Sequence, residues 1–290
     1  MDFMLERSEC RGNEVGRRGR AGWRALVLGI SLGGSLAAPC FAQEEPDADV
    51  RDGFAVFVEA APHVSVQKAR GSVDTNYGTR SRKANVLTNM TFRLGGGFKG
   101  PALSDSWGRP RPVAYAAALI PINESSTIGK NFVKETPAGS ARVQNEKYSI
   151  EYQTSATAGL GLEFMVPFFD IDIAVMPAIE SLHLLSRYVG ESGLHVTVIG
   201  RPELNEDHAV RGKEDITQHF LGPALRLSTP TAVFKGIAID FFLHSSVLFD
   251  VAGTRKQFVA TGANGDQGSF NFETGTGVVQ VTSGFQVRWP

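Results

Sequence analysis

The sequence predicts an all-β protein, an eight-stranded antiparallel up-and-down transmembrane β-barrel with ten strands as the alternative count. Three observations carry the prediction. The stretch 282–290 alternates apolar Phe285, Val287 and Trp289 with polar Gln286 and Arg288, and it puts an aromatic where a membrane-crossing strand meets headgroups. Residues 148–166 alternate over their whole length, whereas an ordinary strand runs about five or six residues. The connectors between alternating segments are long on one side of the chain's path and shorter on the other, the asymmetry of a barrel that crosses a membrane. After residue 42 no run reaches 18 apolar residues, so a crossing must use strands whose backbone groups are satisfied by neighbours.

The strands follow in order. The first, 54–66, sends Phe54, Val56, Val58, Val64 and Val66 outward and Phe57, Glu59, His63 and Ser65 inward. In the second, 86–98, Met90, Phe92 and Leu94 face outward against Asn89, Thr91 and Arg93. The third, 113–122, is rich in Ala and leaves its facing open. The fourth, 148–166, puts its even positions outward, from Tyr148 and Ile150 to Phe164 and Val166, with Gln153 and Glu163 inward. The fifth runs from 169 to about 186, with Ile171, Ile173, Val175 and Ile179 outward and Asp170, Asp172, Met176 and Glu180 inward. In the sixth, 216–227, Leu221, Leu225 and Leu227 oppose Gln218, Gly222 and Arg226. The seventh, 237–251, opposes Ile239, Phe241, Leu243, Val247 and Phe249 to Asp240, His244 and Asp250, and the eighth ends the chain. The long connectors are then 67–85, 123–147, 187–215 and 252–269; the other side has 99–112, 167–168 and 228–236. Residues 195–199 fit an extra hairpin strand above the membrane.

The amino-terminal text fits export. Arg17, Arg18, Arg20 and Arg24 precede the uncharged run 25–36 and the small residue Ala42, which predicts a signal peptide over 1–42, a short periplasmic segment over 43–52 and a barrel over 53–290. Removal of the leader takes away both cysteines, Cys10 and Cys40, and with them any thiol nucleophile or thiolate metal site. The leader holds six of the 29 basic and four of the 30 acidic side chains, so the remainder is mildly acidic and offers nothing to nucleic acid.

Thr282, Gly284, Val287 and Trp289 fill the polar, Gly, apolar and aromatic positions of the terminal sorting signal of bacterial outer-membrane barrels, with Pro290 beyond the aromatic. Taken with the alternation and the connectors, the chain resembles the small outer-membrane barrels of the OmpA/OmpX type. That resemblance implies a bacterial outer-membrane location, lipid contact around the wall and recognition of the last strand by the barrel-insertion machinery. The extracellular ligand is left open.

Eight strands enclose a lumen that side chains fill. Glu59 with Arg93, and Arg226 with Asp240, are expected to pair across strands, and Glu163, Gln280 and Gln286 to complete a neutralising network, because an unpaired buried charge costs several kcal/mol. A competing reading groups His63, Glu180 and His244 as an acid/base cluster. It lacks a nucleophile and a route for substrate, so no enzyme is expected; the alternatives are a narrow channel for small solutes and a lipid-modifying enzyme. His183, His195, His208 and His219 match no metal motif, and residues 95–97 and 129–130 do not form a phosphate cradle. No cofactor and no metal is expected.

Overall fold

The computed structural model describes residues 53–289 apart from 106, 170, 235 and 254. The expected signal peptide, the segment 43–52 and Asp170 lie outside the described residues, as does Pro290. Eleven strands are present: β1 (Ala55–Thr75), β2 (Gly78–Lys99), β3 (Arg111–Pro121), β4 (Ser125–Glu135), β5 (Ser140–Tyr152), β6 (Ser155–Phe168), β7 (Ile171–Val198), β8 (Glu206–Phe234), β9 (Ile237–Asp250), β10 (Arg255–Thr261) and β11 (Gln267–Trp289). All pairings are antiparallel, and eight strands close a ring in the order β7-β6-β3-β2-β1-β11-β9-β8 and back to β7. Among the described residues no helix is long and apolar enough to cross a membrane.

Period-two alternation sorts side chains as the sequence predicts in the half of the barrel that carries both ends of the described chain. Val58, Met90, Leu94, Leu225, Leu243, Val281 and Phe285 stand on the outside of the wall, while Glu59, Arg93, Glu180, Arg226, His244 and Gln280 are buried within it. In water such an apolar exterior would be unfavourable over its whole circumference; against acyl chains it is the expected surface. Phe54, Phe168, Phe169 and Trp289 are exposed at the terminal end and Phe249 toward the other, positions that suit the two interfaces of a bilayer.

Five of the strands continue far past this belt. About 9–11 residues suffice for a tilted strand to cross, yet β1, β2, β7, β8 and β11 have 21, 22, 28, 29 and 23 residues. The surplus builds a second, distal layer. There β2-β1-β11-β10 form one sheet and β4-β5-β7-β8 another, because β2 does not pair with β4, nor β8 with β10. Ala69, Val73, Leu87, Ile128, Tyr148, Ile150, Tyr152, Tyr188, Val210, Ile216, Phe270 and Phe272 form one apolar cluster between the two sheets. Tyr188 meets Phe272 at 4.9 Å and Phe258 at 5.8 Å between ring centres.

This layer corrects several expectations. The connectors 67–85, 123–147, 187–215 and 252–269 are mostly strand, not loop, and 195–199 belongs largely to β7, which runs to Val198. The ribbon 148–166 is two strands, β5 and β6, separated at Gln153–Thr154. Across that break the facing changes parity: Ala156, Ala158, Leu160 and Leu162 point outward as expected, but Tyr148, Ile150 and Tyr152 are buried in the distal core. Tyr148 therefore does not face outward. The turn expected at 167–168 lies one to two residues later, since Phe168 pairs with Ile171 and Phe169 takes the left-handed conformation, φ 54°. The connector between β8 and β9 shrinks to 235–236. Its counterpart between β2 and β3 stays long and docks on the wall, where Met165 donates its N–H to the Gly108 carbonyl at 2.8 Å.

Candidate functional site

The lumen of the belt region holds the charges that the sequence placed there. Glu59 on β1 accepts from Arg93 Nε on β2 and from Arg226 Nη1 on β8, each at 2.6 Å, so one carboxylate bridges two guanidinium groups across the barrel. Arg226 also donates to Gln286 at 2.6 Å and lies 4.0 Å from the centre of the Phe242 ring, a cation–π contact. Gln286 in turn donates to Asp240 at 2.7 Å, and Arg288 reaches the same carboxylate at 3.2 Å.

Glu59 and Arg93 pair as expected. Arg226 and Asp240 do not pair directly; Gln286 links them. The reason is stagger: Arg226 faces His244 across β8–β9, and Asp240 faces Pro230, four residues away. Depth counted from strand ends ignores that shear. Glu163 sits apart at the terminal end, paired with Lys99.

The second tier gathers His63, Glu180 and His244. Glu180 lies 2.9 Å from His244 Nε2, accepts from Tyr115 at 2.7 Å and from Ser246 at 3.1 Å, and is 4.0 Å from Arg93. His63 Nδ1 is 2.7 Å from Thr282 Oγ1, and Thr282 is the register neighbour of His244, so the two imidazole rings and the carboxylate share one level. Gln280 joins through Ser246 at 3.0 Å. Tyr115 reaches Glu180 from two strands away because Gly159 lies between them in register; a Cβ there would stand 2.3 Å from the tyrosine hydroxyl. Ser246 bonds the carboxylate rather than a ring nitrogen; the Thr282 hydroxyl does meet an imidazole, that of His63, but both side chains are buried within the wall.

Both tiers lie between apolar layers. Phe57, Val113, Tyr115 and Met176 cluster toward the terminal end, and Leu119, Leu182, Leu184, Phe220, Leu248 and Val278 form a plug toward the distal core. Among the described residues no group of three or more His, Cys, Asp or Glu is arranged to hold a metal ion.

Lys99, Tyr115, Ser246 and Arg288 complete the network without having been singled out from the sequence. Tyr115 stood on the Ala-rich strand of open facing, and Lys99 in a stretch read as a turn. Of the residues matched to the sorting signal, Thr282 faces the lumen and Trp289 is half-exposed at the terminal rim. His183, His195, His208 and His219 are all on strands, and His183 and His219 face each other across β7–β8 on the outside, with Nδ1 atoms 3.2 Å apart.

At the distal tip His208 on β8 bonds Asp266 at 2.8 Å, and the Tyr77 ring stacks on it with centres 5.6 Å apart. Asn76 donates to Asp266 at 3.5 Å and Tyr77 to the Ser192 carbonyl at 3.1 Å, so this cluster ties the β1–β2 turn to β7, β8 and the β10–β11 turn. The Asp266 bond raises the His208 pKa above its usual 6.5. Desolvation pushes the Asp266 carboxyl up, but the hydrogen bonds from His208 and Asn76 outweigh it and hold it below 3.8. Beside this cluster, in the open seam between β8 and β10, lies a cleft of about 440 Å³ lined in part by Glu191, His195, Asp207, His208 and Arg211.

A closed antiparallel wall, apolar outside and charged inside, is the architecture of a small bacterial outer-membrane β-barrel. No protein-family model and no curated protein matches the chain. Solved structures with a similar fold include Neisserial surface protein A (10% identity, 79% of this chain and 97% of that one, TM-score 0.25). Ail, the attachment invasion locus protein of Yersinia pestis, matches at 11% identity over 79% of this chain and 99% of its own, TM-score 0.23. The outer membrane protein OprG from Pseudomonas aeruginosa matches at 7% identity over 82% and 97%, TM-score 0.30. At such identities and scores none of them lends this chain a role.

Proposed function

We propose that the protein is a non-conducting outer-membrane scaffold, with a structural or surface-interaction role exerted through the folded distal layer that its own strands build. The observation that supports this reading most strongly is the interior. Two tiers of paired charges lie between an apolar cluster and an apolar plug, and the distal core caps the plug. A water-filled path would need those layers to part. In this orientation the terminal end faces the periplasm, the distal layer faces outward, and the last strand is the segment offered to the barrel-insertion machinery. No catalytic step is assigned to His63, Glu180 or His244, whose side chains are sealed from both ends.

Conductance tests the reading. Purified protein added to a planar bilayer in 1 M salt, roughly the condition that maximises small-ion current, is expected to insert without discrete steps. Regular steps from the wild-type protein would overturn the closed-lumen reading and favour a narrow channel.

A further inference from the structure

The outer surface just beyond the belt is electrically lopsided. On β1 the outward apolar side chains end at Val66, and the next outward residues are Lys68 and Arg70. In register, Arg70 faces Lys83 on β2 on one side and Glu273 on β11 on the other, and Glu273 faces Arg255 on β10. Directly opposed side chains on neighbouring strands stand about 5 Å apart, so Arg255, Glu273, Arg70 and Lys83 form one row with Lys68 below it on the membrane side. Four cations surround a single carboxylate. All five side chains are exposed, and neither Lys68, Arg70, Lys83 nor Arg255 has an ion-pair or hydrogen-bond partner for its side chain among the described residues.

The opposite face, at the same step beyond the belt, is balanced. Arg187 pairs with Asp215 at 2.7 Å and Lys213 with Glu151 at 3.5 Å. The unpaired Lys130 and Lys147 of that face stand further out, in a row with the Arg211–Glu191 pair, so at this first step the unpaired cations are on the β1 side.

Lys68 also marks a β-bulge, because the register of β1 slips between Gln67 and Ala69 against both of its neighbours. Beside it is Gly275, where a Cβ would come within 2.9 Å of the Lys68 Cβ, so the β11 side of this lysine is open. The extra residues lie on β2 and β11, at 85–86 and 275–277, so Lys68 keeps the outward direction of β1 and stands at the boundary between apolar wall and charged row.

We propose that this row is a binding site for the phosphate groups of an anionic lipid in the outer leaflet, with Arg70 and Lys83 holding one phosphate and Lys68 approaching it from the acyl side. The proposal rests on the outer-membrane placement given above. Charge complementarity and position support it: an Arg fork and Lys ammonium groups suit phosphate oxygens, and the outward side chains immediately below, Val64, Val66, Val279 and Val281, suit the acyl chains of the same lipid. Beyond the row the outward positions Ser72, Ser81 and Asn271 are uncharged, so the cations are confined to headgroup depth.

The test is lipid retention by the detergent-purified protein, titrated with diphosphorylated lipid A and, separately, with phosphatidylcholine, and counted by native mass spectrometry. A basic side chain near an anionic lipid surface contributes roughly fivefold in binding. The triple variant Lys68→Gln, Arg70→Gln, Lys83→Gln is therefore expected to bind lipid A at least about tenfold more weakly at low salt, with no change toward phosphatidylcholine. The paired variant Arg187→Gln, Asp215→Asn on the opposite face is the control and is expected to stay within about twofold of wild type. Arg70→Lys is expected to recover part of the loss relative to Arg70→Gln. Equal retention by wild type and triple variant, an equal loss in the control, or displacement of lipid A by millimolar inorganic phosphate would overturn the site. If the outer-membrane placement itself were wrong, the wild-type protein would fail to enter lipid vesicles at all, a result distinct from selective loss in one variant.

Discussion

Replacing Glu59 by Gln tests the interior most sharply. Glu59 accepts two hydrogen bonds of 2.6 Å from two different arginines, and all three side chains are at most 4% exposed. Breaking a buried ion pair costs about 3–5 kcal/mol, because the surviving charge keeps its desolvation penalty and loses its partner. Here two guanidinium groups lose the same carboxylate. The losses do not simply add, since Arg226 keeps Gln286 and the Phe242 ring, and Arg93 keeps Glu180 at 4.0 Å. We expect a net destabilisation of about 3–5 kcal/mol, at the upper end if neither arginine can move. Urea unfolding in phospholipid vesicles, followed by the fluorescence of Trp107 and Trp289, would measure it. A loss below about 1 kcal/mol at unchanged slope would mean that the bridge is not formed or not desolvated, and the sealed interior would have to be abandoned. A double-mutant cycle with Arg93→Met should show strong coupling between the two positions.

Three further outcomes follow from the geometry. Gly159→Ala should displace the Tyr115 ring and break its bond to Glu180, a steric and hydrogen-bond loss of about 2–4 kcal/mol; Gly159→Ala combined with Tyr115→Phe should cost less than the sum of the two, and full additivity would contradict the contact. Phe272→Ala should weaken the distal layer by about 3–5 kcal/mol while leaving the belt intact, seen as protease cleavage within 67–85 or 187–215 above an undigested membrane fragment; resistance equal to wild type would place Phe272 outside a core. The His208–Asp266 tie should be pH-dependent in a stated direction. The raised His208 pKa gives stability that is present below about 6.5, its ordinary value, and fades as pH rises through the folded value, while the lowered Asp266 pKa gives stability that is lost only in acid, below its usual 3.8. Hydrogen exchange in residues 262–266, corrected for intrinsic rate, should therefore accelerate as pH rises above about 6.5, and His208→Gln should abolish that dependence.

Much of the belt was legible from side-chain type alone. The strand read at 237–251 is β9, Ile237–Asp250, with Ile239, Phe241, Leu243, Val247 and Phe249 outward and Asp240 and His244 buried as expected. Alternation reports burial only relative to a neighbour, however, and it cannot say whether an apolar face meets lipid or another sheet. Tyr148, Ile150 and Tyr152 continue the even-numbered apolar run of Ala156 to Leu162, yet they face the distal core. The break at Gln153–Thr154 carries no Gly or Pro to announce it. The distal strands were hidden for a related reason. In 67–85 the inward residues are small, such as Ala69 and Gly71, because Tyr148 and Tyr188 fill the space above Gly71, and small residues alternating with charged ones read as a polar loop. Pairing in the lumen was legible where the offset between adjacent strands is two residues, as for Glu59 and Arg93, and not where it is four, as for Arg226 and Asp240.

The central claim is the direction of the wall. Both cysteines lie in 1–42, so residues 43–290 accept single cysteines without background, and a scan along β9 from Ile239 to His244, labelled with a fluorophore in vesicles containing brominated lipid, reads which side chains touch acyl chains. The account requires strong quenching at Ile239, Phe241 and Leu243 and weak quenching at Asp240, Phe242 and His244. Quenching in the reverse phase, or none at any position, would mean that the apolar side of this wall does not face a bilayer.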